Sequence, residues 1–443
     1  MAQAISVPHR ADLLDQMHRA NRFAWLLLLV EIALIGIVAV MVNWGWVLRE
    51  PILTTVAIGA MVCPFASSLL IHLATQKKRI QDLKESTRFG QYDKYRLQSL
   101  FRETLAKLRL PDEDLPVYIV ASRSLNAGAM HVGVGSLFKS LNGIYLNRQV
   151  LHKMEPAEIQ DLIGHELGHY YKYYLIIDRF RVVTVALGSL LGILVVQRVG
   201  LGSYLGYAIL MGVPWLSWWL SSLPYTRNAT AIEFLCDDFG AQVAGVFPSI
   251  HGLLKLGQSA EVECLVMQQA ILSKVAGNFN PSELIDAITS SIPYGHATRE
   301  EIADKVNREL NHRAATNSKS IGGLLRYMWN SDVDADSAAE LEEQAKKMAK
   351  IQSEPRLDWE QLLSNPTQVQ FNEEGMRKLI AMIENRPNLL LFRVPESPGE
   401  VHPPLRSRIL YLWHNRSEIE SHLRTSYPSP RRLGGTLLRR TAM

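Results

Sequence analysis

Residues 155–171 read EPAEIQDLIGHELGHYY, and this stretch decides the fold. Pro156 suits the first turn of a helix, Glu158 favours the positive helix end, and apolar residues recur at helical spacing. On that helix His165 and His169 are four positions apart. Both imidazoles therefore project from one face, where they can bind a single metal ion.

The HELGH segment at 165–169 also contains the donor types of a zinc hydrolase. Zinc suits two neutral imidazoles and one carboxylate, with a fourth position left for water. Glu166 follows the first histidine and can pass a proton from that water to a leaving amine. An HExxH match arises by chance in roughly one chain in fifty. The context must therefore decide between a metal site and two partly buried histidines of an ordinary helix.

A third ligand is expected in the helical stretch TAIEFLCDDFGAQVAG at 230–245. Glu233 can complete the metal shell, and Asp237, one turn later, can accept the free ring N–H of a ligand histidine. A pair of carboxylates on a helix is more often a solvated face. Here an apolar hairpin between His169 and Glu233 returns the chain to the side that it left, which favours the metal site.

Four apolar segments predict a membrane anchor. Segment 23–48 contains one charge, Glu31, and segment 51–76 has no Asp, Glu, Lys or Arg. Each exceeds the roughly 20 residues that span a bilayer. A second pair lies at 182–197 and 199–226, and its short first member allows a full or a re-entrant hairpin. The alternative is a buried helical hairpin in a large soluble core. Glu31 is expected to snorkel or to face a neighbouring helix.

Basic residues predict the orientation of this anchor. Arginines precede the first apolar segment, and eight lysines and arginines follow the second, between Lys77 and Arg102. The connecting loop holds only Arg49, which Glu50 balances. By the positive-inside rule the N-terminus and everything after Gln76 lie in the cytoplasm.

Composition excludes two other classes. The net charge of +4 is too small for a chain of 443 residues to indicate a nucleic-acid partner. Its 3 cysteines include no CxxC pair, so a disulfide framework or a thiolate zinc site is not expected, and a reducing compartment fits.

Further motifs stand on either side of HELGH in a fixed order. VYIVASRSLNAGAM at 117–130 and GIYLNRQVL at 143–151 precede it, while ExxxD at 233–237 and HPPLRSRI at 402–409 follow it. With these motifs the sequence resembles the HtpX-type and type I CAAX prenyl endopeptidase family of membrane zinc metallopeptidases. The order of apolar segments and motifs resembles the bacterial HtpX-type plan.

The resemblance implies roles that spacing does not show. Asn126 would contact the substrate backbone, His402 would stabilise the oxyanion as a second catalytic residue beside Glu166, and Arg408 would hold the closing segment. Two positions depart from the family pattern. Thr230 stands where the family usually has an Arg, and Cys236 stands where it often has Ala.

The predicted fold is mainly α with a small β-sheet from residues near 117–121 and 143–146. It is a membrane-anchored, zincin-like metalloprotease with about four transmembrane or membrane-associated helices. Its predicted parts are a cytoplasmic arm 1–22, a transmembrane hairpin 23–76, a zincin core 77–181, a second hairpin 182–226, a third-ligand helix 227–258, a helical insertion 259–398, a closing HPPL segment 399–425 and a basic tail 426–443.

The predicted function is zinc-dependent endopeptidase activity, with one Zn²⁺ per chain held by His165, His169 and Glu233. The expected substrates are peptide bonds of membrane or misfolded proteins, in a protein quality-control role. The expected location is the bacterial cytoplasmic membrane, with the active site facing the cytoplasm and the lipid bilayer as a partner. The alternative is a catalytically inactive membrane scaffold or sensor that keeps the zincin shape. The sequence does not indicate an oligomeric state.

Overall fold

The computed structural model describes residues 7–74, 76–111, 115–120, 127–130, 143–199, 204–272, 304, 308, 362–364, 371–386, 391–392 and 402–426. These residues are mainly helical and include one small sheet, as predicted. Asn126, most of the predicted insertion 259–398 and the basic tail after residue 426 lie outside the described residues.

Helices of very different length make up most of the described chain. We number them in chain order and give the bounds here: α1 Arg10–Met41, α2 Trp44–Arg49, α3 Pro51–Ala74, α4 Lys94–Leu108, α5 Arg148–Lys153, α6 Pro156–Leu167, α7 Ile176–Arg179, α8 Arg181–Val199, α9 Tyr204–Ala244, α10 Val246–Leu272, α11 Glu373–Asn385, α12 Leu405–His414 and α13 Arg416–Ser426.

A bundle of α1, α3, α8 and α9 forms the apolar end of the molecule. Its interior contains Val38, Leu53 and Val196, all buried. Its outer surface is also apolar, and only 22% of the most apolar stretch of α1 is buried. A soluble core helix would be mostly covered, so this surface favours a lipid environment. The exposed side chains include Phe23, Leu26, Leu29, Val40, Ile52, Ile58, Val195, Val199, Leu205, Leu216 and Trp219.

Two of the described helices, α1 and α8, are long and apolar enough to cross a membrane. They provide one member of each predicted hairpin. The apolar stretch of α3 at Pro51–Cys63 is shorter. The predicted total of about four spans therefore remains a prediction. Glu31 faces a neighbouring helix, because the Thr184 hydroxyl of α8 lies 3.0 Å from its carboxylate.

Two helices continue through predicted boundaries. α1 runs without a break from the arm into the first apolar segment, across residue 22. α9 likewise runs without a break from the fourth apolar segment, 199–226, into the stretch with Glu233 and Asp237. Residues 227–258, predicted as the third-ligand helix, are the end of α9 followed by the start of α10. Gly245, with a φ of 94°, separates the two helices.

Within the part of the chain that the structure describes, the sheet has four strands, β1 Lys77–Arg79, β2 Val117–Val120, β3 Ala127–Met130 and β4 Gly143–Asn147, in the order β1-β2-β4-β3. β2 and β4 pair in parallel, and both outer pairs are antiparallel. The two predicted strands are therefore the central pair. Ile119 and Leu146 face the core that also contains Ile163 of α6, while Tyr118 and Tyr145 stack on the other face. The sheet thus supports α6 from one side.

Candidate metal centre

Helix α6 begins where the sequence predicts. Pro156 occupies its first turn, and the Glu155 backbone N–H donates to the Glu158 carboxylate at 2.8 Å to form a capping box. The Lys255 ammonium of α10 neutralises this buried carboxylate at 2.7 Å. These contacts fix the start of the helix that carries His165.

The HELGH segment crosses a change in helix geometry. α6 ends at Leu167, and Gly168–Lys172 forms a π-helical turn. The Tyr173 N–H closes this turn on the Gly168 carbonyl at 2.8 Å. The helix that carries both histidines is therefore α-helical only as far as Leu167. His169 lies in a wider turn than His165, and π-turns of this kind occur frequently at functional sites.

Glycines allow α6 and α9 to approach closely. A Cβ atom at Gly164 would lie 2.9 Å from the Gly240 Cα, and one at Gly240 would lie 2.5 Å from the Asp161 carbonyl oxygen. A Cβ at Gly168 would lie 3.1 Å from the Cys236 Sγ. The two helices therefore cross almost backbone to backbone. This crossing places the histidine face of α6 opposite the carboxylate face of α9.

Three side chains converge at that crossing. The Nε2 atoms of His165 and His169 are 3.2 Å apart. The Glu233 carboxylate lies 3.5 Å from the first of these atoms and 3.3 Å from the second. One ligand atom from each residue falls within 4.8 Å of the others, which is compatible with a shared metal ion. Two imidazoles and one carboxylate are a donor set that suits catalytic zinc.

Asp237 and Arg408 surround the first histidine. The Asp237 Oδ1 lies 2.9 Å from His165 Nδ1, and Arg408 Nε donates to Asp237 Oδ2 at 2.7 Å. A second Arg408 nitrogen binds Oδ1, so the pair is bidentate. Asp237 therefore binds the Nδ1 side of the ring, and Nε2 is the atom that faces Glu233 and His169. This arrangement orients a metal-ligand histidine.

Charge pairing controls protonation at the site. Burial disfavours the charged form of His165, but hydrogen bonds and charges from Asp237 and Glu233 outweigh burial and raise its pKa to about 10. Burial likewise opposes ionisation of Asp237, while Arg408 and His165 hold its pKa below the ordinary value. Because its pKa is raised, a metal ion that binds Nε2 of His165 has to compete with a proton for that atom.

Glu166 and Cys236 line the inner side of the site, and both are buried. Burial, together with the charges of Glu233, Asp237 and Glu166, raises the pKa of the Cys236 thiol. A neutral buried thiol behaves as a small apolar group. Cys236, which stands where the family often has Ala, therefore packs against Gly168 without adding a charge beside the proposed metal ligands.

His402 reaches the site from the residues that precede α12. Its Nδ1 lies 2.7 Å from Glu233 Oε2, and its side chain is 62% exposed. The structure thus brings together His165, Glu166, His169, Glu233, Asp237, His402 and Arg408, and Asn126 lies outside the described residues. Thr230, which stands where the family usually has an Arg, is exposed. The close crossing of α6 and α9 was not predicted from the sequence. The small residues on both helices could have indicated it.

Comparison with known proteins adds one finding. A family model described as Peptidase family M48 matches residues 92–245. That range includes both histidines of HELGH, Glu233 and Asp237, and it ends before His402. Neither a curated protein nor a solved structure shows a significant match to this chain. The matched segment is therefore similar to peptidase family M48, the family of the HtpX and CAAX prenyl endopeptidase metallopeptidases that the motifs of this chain resemble.

Proposed function

We propose that this chain is a membrane-bound, zinc-dependent endopeptidase. One observation carries the proposal: His165 Nε2, His169 Nε2 and a Glu233 oxygen converge within 4.8 Å of one another. The M48 domain supports metallopeptidase chemistry at this place in the chain. These three residues would hold the ion. When bound there, zinc would polarise the scissile carbonyl and lower the pKa of a water molecule to about 7.

Glu166 is the proposed general base. It is buried and adjoins His165 in the chain, so it lies on the helical turn that carries the first proposed ligand. It accepts the proton of the attacking water and transfers it to the leaving amide nitrogen. Its carboxylate has to remain free of the metal for this role, which the two histidines and Glu233 allow by supplying a full set of protein ligands.

His402 is the proposed second catalytic residue. Its contact with Glu233 at 2.7 Å places it beside the proposed metal position. From there an imidazole N–H can donate to the oxygen that becomes negatively charged as the carbonyl is attacked. Arg408 lies in the first turn of α12, six residues after His402, and binds Asp237, so it would hold His402 at the site.

The substrate is proposed to bind as an added strand. β3 is an outer strand of the sheet, paired only with β4 in the strand order, and it contacts α6. An extended peptide beside such an edge receives main-chain hydrogen bonds along its length. Asn126, which directly precedes β3, is proposed to contact the substrate backbone.

The membrane setting suggests the class of substrate. The exposed apolar surface of α1, α3, α8 and α9 would face lipid, and the basic residues after Gln76 favour a cytoplasmic active site. α9 would carry Glu233 a few turns beyond the apolar bundle, so the site would lie close to the membrane surface. Membrane proteins and their misfolded cytoplasmic segments are therefore the proposed substrates. The proposed role is quality control in a bacterial cytoplasmic membrane.

The decisive experiment compares the wild type with Glu166→Gln. Both are purified in detergent, zinc per chain is measured, and casein cleavage is followed. We expect both to bind about one zinc per chain, because the ligand set of a catalytic site is intact. Cleavage by the variant should fall by roughly 10²–10⁴-fold, because only the proton acceptor is lost. Glu374→Gln, a surface change on α11, is the control.

Two outcomes would contradict this proposal. A Glu166→Gln variant as active as the wild type would refute the assignment of the base. A wild type that binds zinc but cleaves no substrate would instead favour the inactive scaffold or sensor.

A further inference from the structure

The first turns of α1 lie against the catalytic core. We call residues 10–22 the arm helix, since they precede the first apolar segment. Leu13 and Met17 are buried in the same apolar cluster as Ile163 of α6 and Phe234 of α9. The arm helix therefore forms one wall of the core that contains both metal-binding helices.

Arg10 connects the arm helix to the helix that carries Glu233. Its Nε donates to Asp238 Oδ2 at 2.7 Å, and its Nη1 donates to Glu418 Oε1 of α13, also at 2.7 Å. The Asp238 side chain is 0% exposed, and Gln242 supplies a further hydrogen bond at 3.1 Å. A buried carboxylate of this kind depends on its charged partner.

Two more polar side chains of the arm helix form hydrogen bonds with the rest of the catalytic core. Gln16 donates to the Asn228 side chain of α9 at 3.0 Å. Asn21 donates to the Tyr174 carbonyl at 3.0 Å and accepts from the Ile176 N–H at 2.9 Å. Asn228 precedes Glu233 on α9, and Tyr174 and Ile176 follow the π-turn that carries His169. The arm helix is therefore bonded to both parts of the chain that supply the proposed metal ligands.

Asp237 and Asp238 are consecutive, yet they bind arginines from different parts of the chain. Arg408 of α12 binds Asp237, and Arg10 of α1 binds Asp238. Successive residues of a helix point about 100° apart. Contacts on both residues therefore prevent α9 from rotating about its axis. Such a rotation would move Glu233 and Asp237 together, away from the two histidines.

We propose that the arm helix is a positioning element of the metal centre, with Arg10 as its principal residue. The inference rests on the proposed function in one respect, because it takes His165, His169 and Glu233 as the metal ligands. It assigns Arg10 no contact with substrate or metal. Arg10 acts through Asp238, by setting the rotation of α9 that presents Glu233 to the histidines.

The test uses the full-length protein in detergent. Arg10→Met removes the charge, and Arg19→Met is the matched control on the same helix, since its side chain is 71% exposed and pairs only with Asp15 among the contacts described. Zinc affinity is measured by competition with a chelator, and the ligand geometry by the visible spectrum of the Co²⁺-loaded protein. We expect Arg10→Met to bind zinc roughly tenfold more weakly, at the low end for a lost outer partner. Its Co²⁺ spectrum should change, while Arg19→Met should match the wild type.

A second variant separates positioning from stability. Arg10→Met leaves Asp238 buried without its charged partner, and that alone can unfold the protein. The double variant Arg10→Met/Asp238→Asn removes the buried charge and should recover most of the thermal stability. If Arg10 positions α9, the double variant keeps the weakened zinc affinity and the altered spectrum. Arg10→Lys keeps the positive charge, so its zinc affinity and its Co²⁺ spectrum should be closer to those of the wild type than the affinity and spectrum of Arg10→Met.

Three results would overturn the inference. The first is a double variant that binds zinc with wild-type affinity and shows the wild-type Co²⁺ spectrum, because Arg10 would then serve stability alone. The second is an Arg19→Met variant that loses affinity to the same extent. The third is a wild type that takes up neither zinc nor Co²⁺, which would refute the proposed function as well.

Discussion

The Nδ1 atom of His165 lies 2.9 Å from Oδ1 of Asp237, although the two residues are 72 positions apart in the chain. Arg408 binds both oxygens of the same carboxylate from the opposite side. The orientation of the His165 ring therefore depends on three separate helices, α6, α9 and α12.

Replacing Asp237 by Asn should weaken zinc binding without abolishing it. The amide keeps the size of the side chain and can still accept the Nδ1–H of His165, but it has no negative charge to strengthen that bond or to neutralise Arg408. Loss of such an outer partner typically lowers metal affinity about 10–100-fold. Chelator competition measures the change, with the surface variant Asp15→Asn as control. Unchanged affinity would mean that Asp237 does not orient the ring.

Glu233 should behave as a metal ligand and His402 as a catalytic residue. Glu233→Ala is expected to lose zinc on dialysis, because a direct ligand is gone. His402→Ala is expected to retain zinc, while kcat falls roughly 10²–10³-fold, as for a lost oxyanion donor. Metal content and kcat are measured on both variants. If Glu233→Ala held zinc and His402→Ala came out empty, the ligand set would have to include His402 instead.

The close crossing of α6 and α9 should tolerate no added methyl group at Gly240. A Cβ there would meet the Asp161 backbone oxygen at 2.5 Å, and backbone cannot move away cheaply. Gly240→Ala should therefore destabilise the protein by about 1–3 kcal/mol and lower zinc affinity. Gly212→Ala on the same helix is the control, since nothing lies within 4 Å of its Cβ. Thermal unfolding in detergent compares them, and equal stability of the two variants would refute the packing argument.

The predicted orientation can be tested by cysteine labelling of intact cells. In a background without Cys63, Cys236 and Cys264, an impermeant reagent should modify Gly45→Cys and spare Lys84→Cys. The reason is the excess of basic residues after Gln76, which favours the cytoplasmic side. Labelling after cell lysis is the control for reactivity. The reverse pattern would place the active site outside the cytoplasm.

His251 should make stability depend on pH. It accepts a hydrogen bond from the Phe371 N–H at 3.3 Å, and burial, aided by Lys255, lowers its pKa from 6.5 to about 4. The folded protein thus keeps His251 neutral where the unfolded chain protonates it. Its contribution is complete above pH 6.5 and declines as the pH falls from about 6.5 to about 4. The whole shift corresponds to at most about 3 kcal/mol.

The measurement for His251 is thermal unfolding in detergent at pH 4.5 and pH 7.5. His251→Gln keeps an acceptor but cannot be protonated, so its stability should fall less than that of the wild type over this range. His18→Gln, on the arm helix, is the control. Parallel pH profiles for the wild type and His251→Gln would contradict the prediction.

Local properties of the sequence determined the catalytic helix, the strands and the apolar segments. Pro156, the spacing of His165 and His169, and the alternation of apolar residues act over a few positions, so they can be recognised without knowledge of distant contacts. The spacing of Glu233 and Asp237 after an apolar hairpin made them candidates, and the family resemblance added His402 and Arg408. The M48 family model matches residues 92–245, in agreement with that resemblance.

The tertiary structure alone decided how those candidates meet. The π-turn with His169, the Gly164–Gly240 crossing and the pairing of Arg10 with Asp238 all depend on close packing between segments far apart in the chain. α9 continues across residue 226 because its two prolines do not end the helix, which local propensity would not predict. Arg10 and Asp238 carry no motif, since a buried ion pair has a physical meaning only once folding has removed both charges from water.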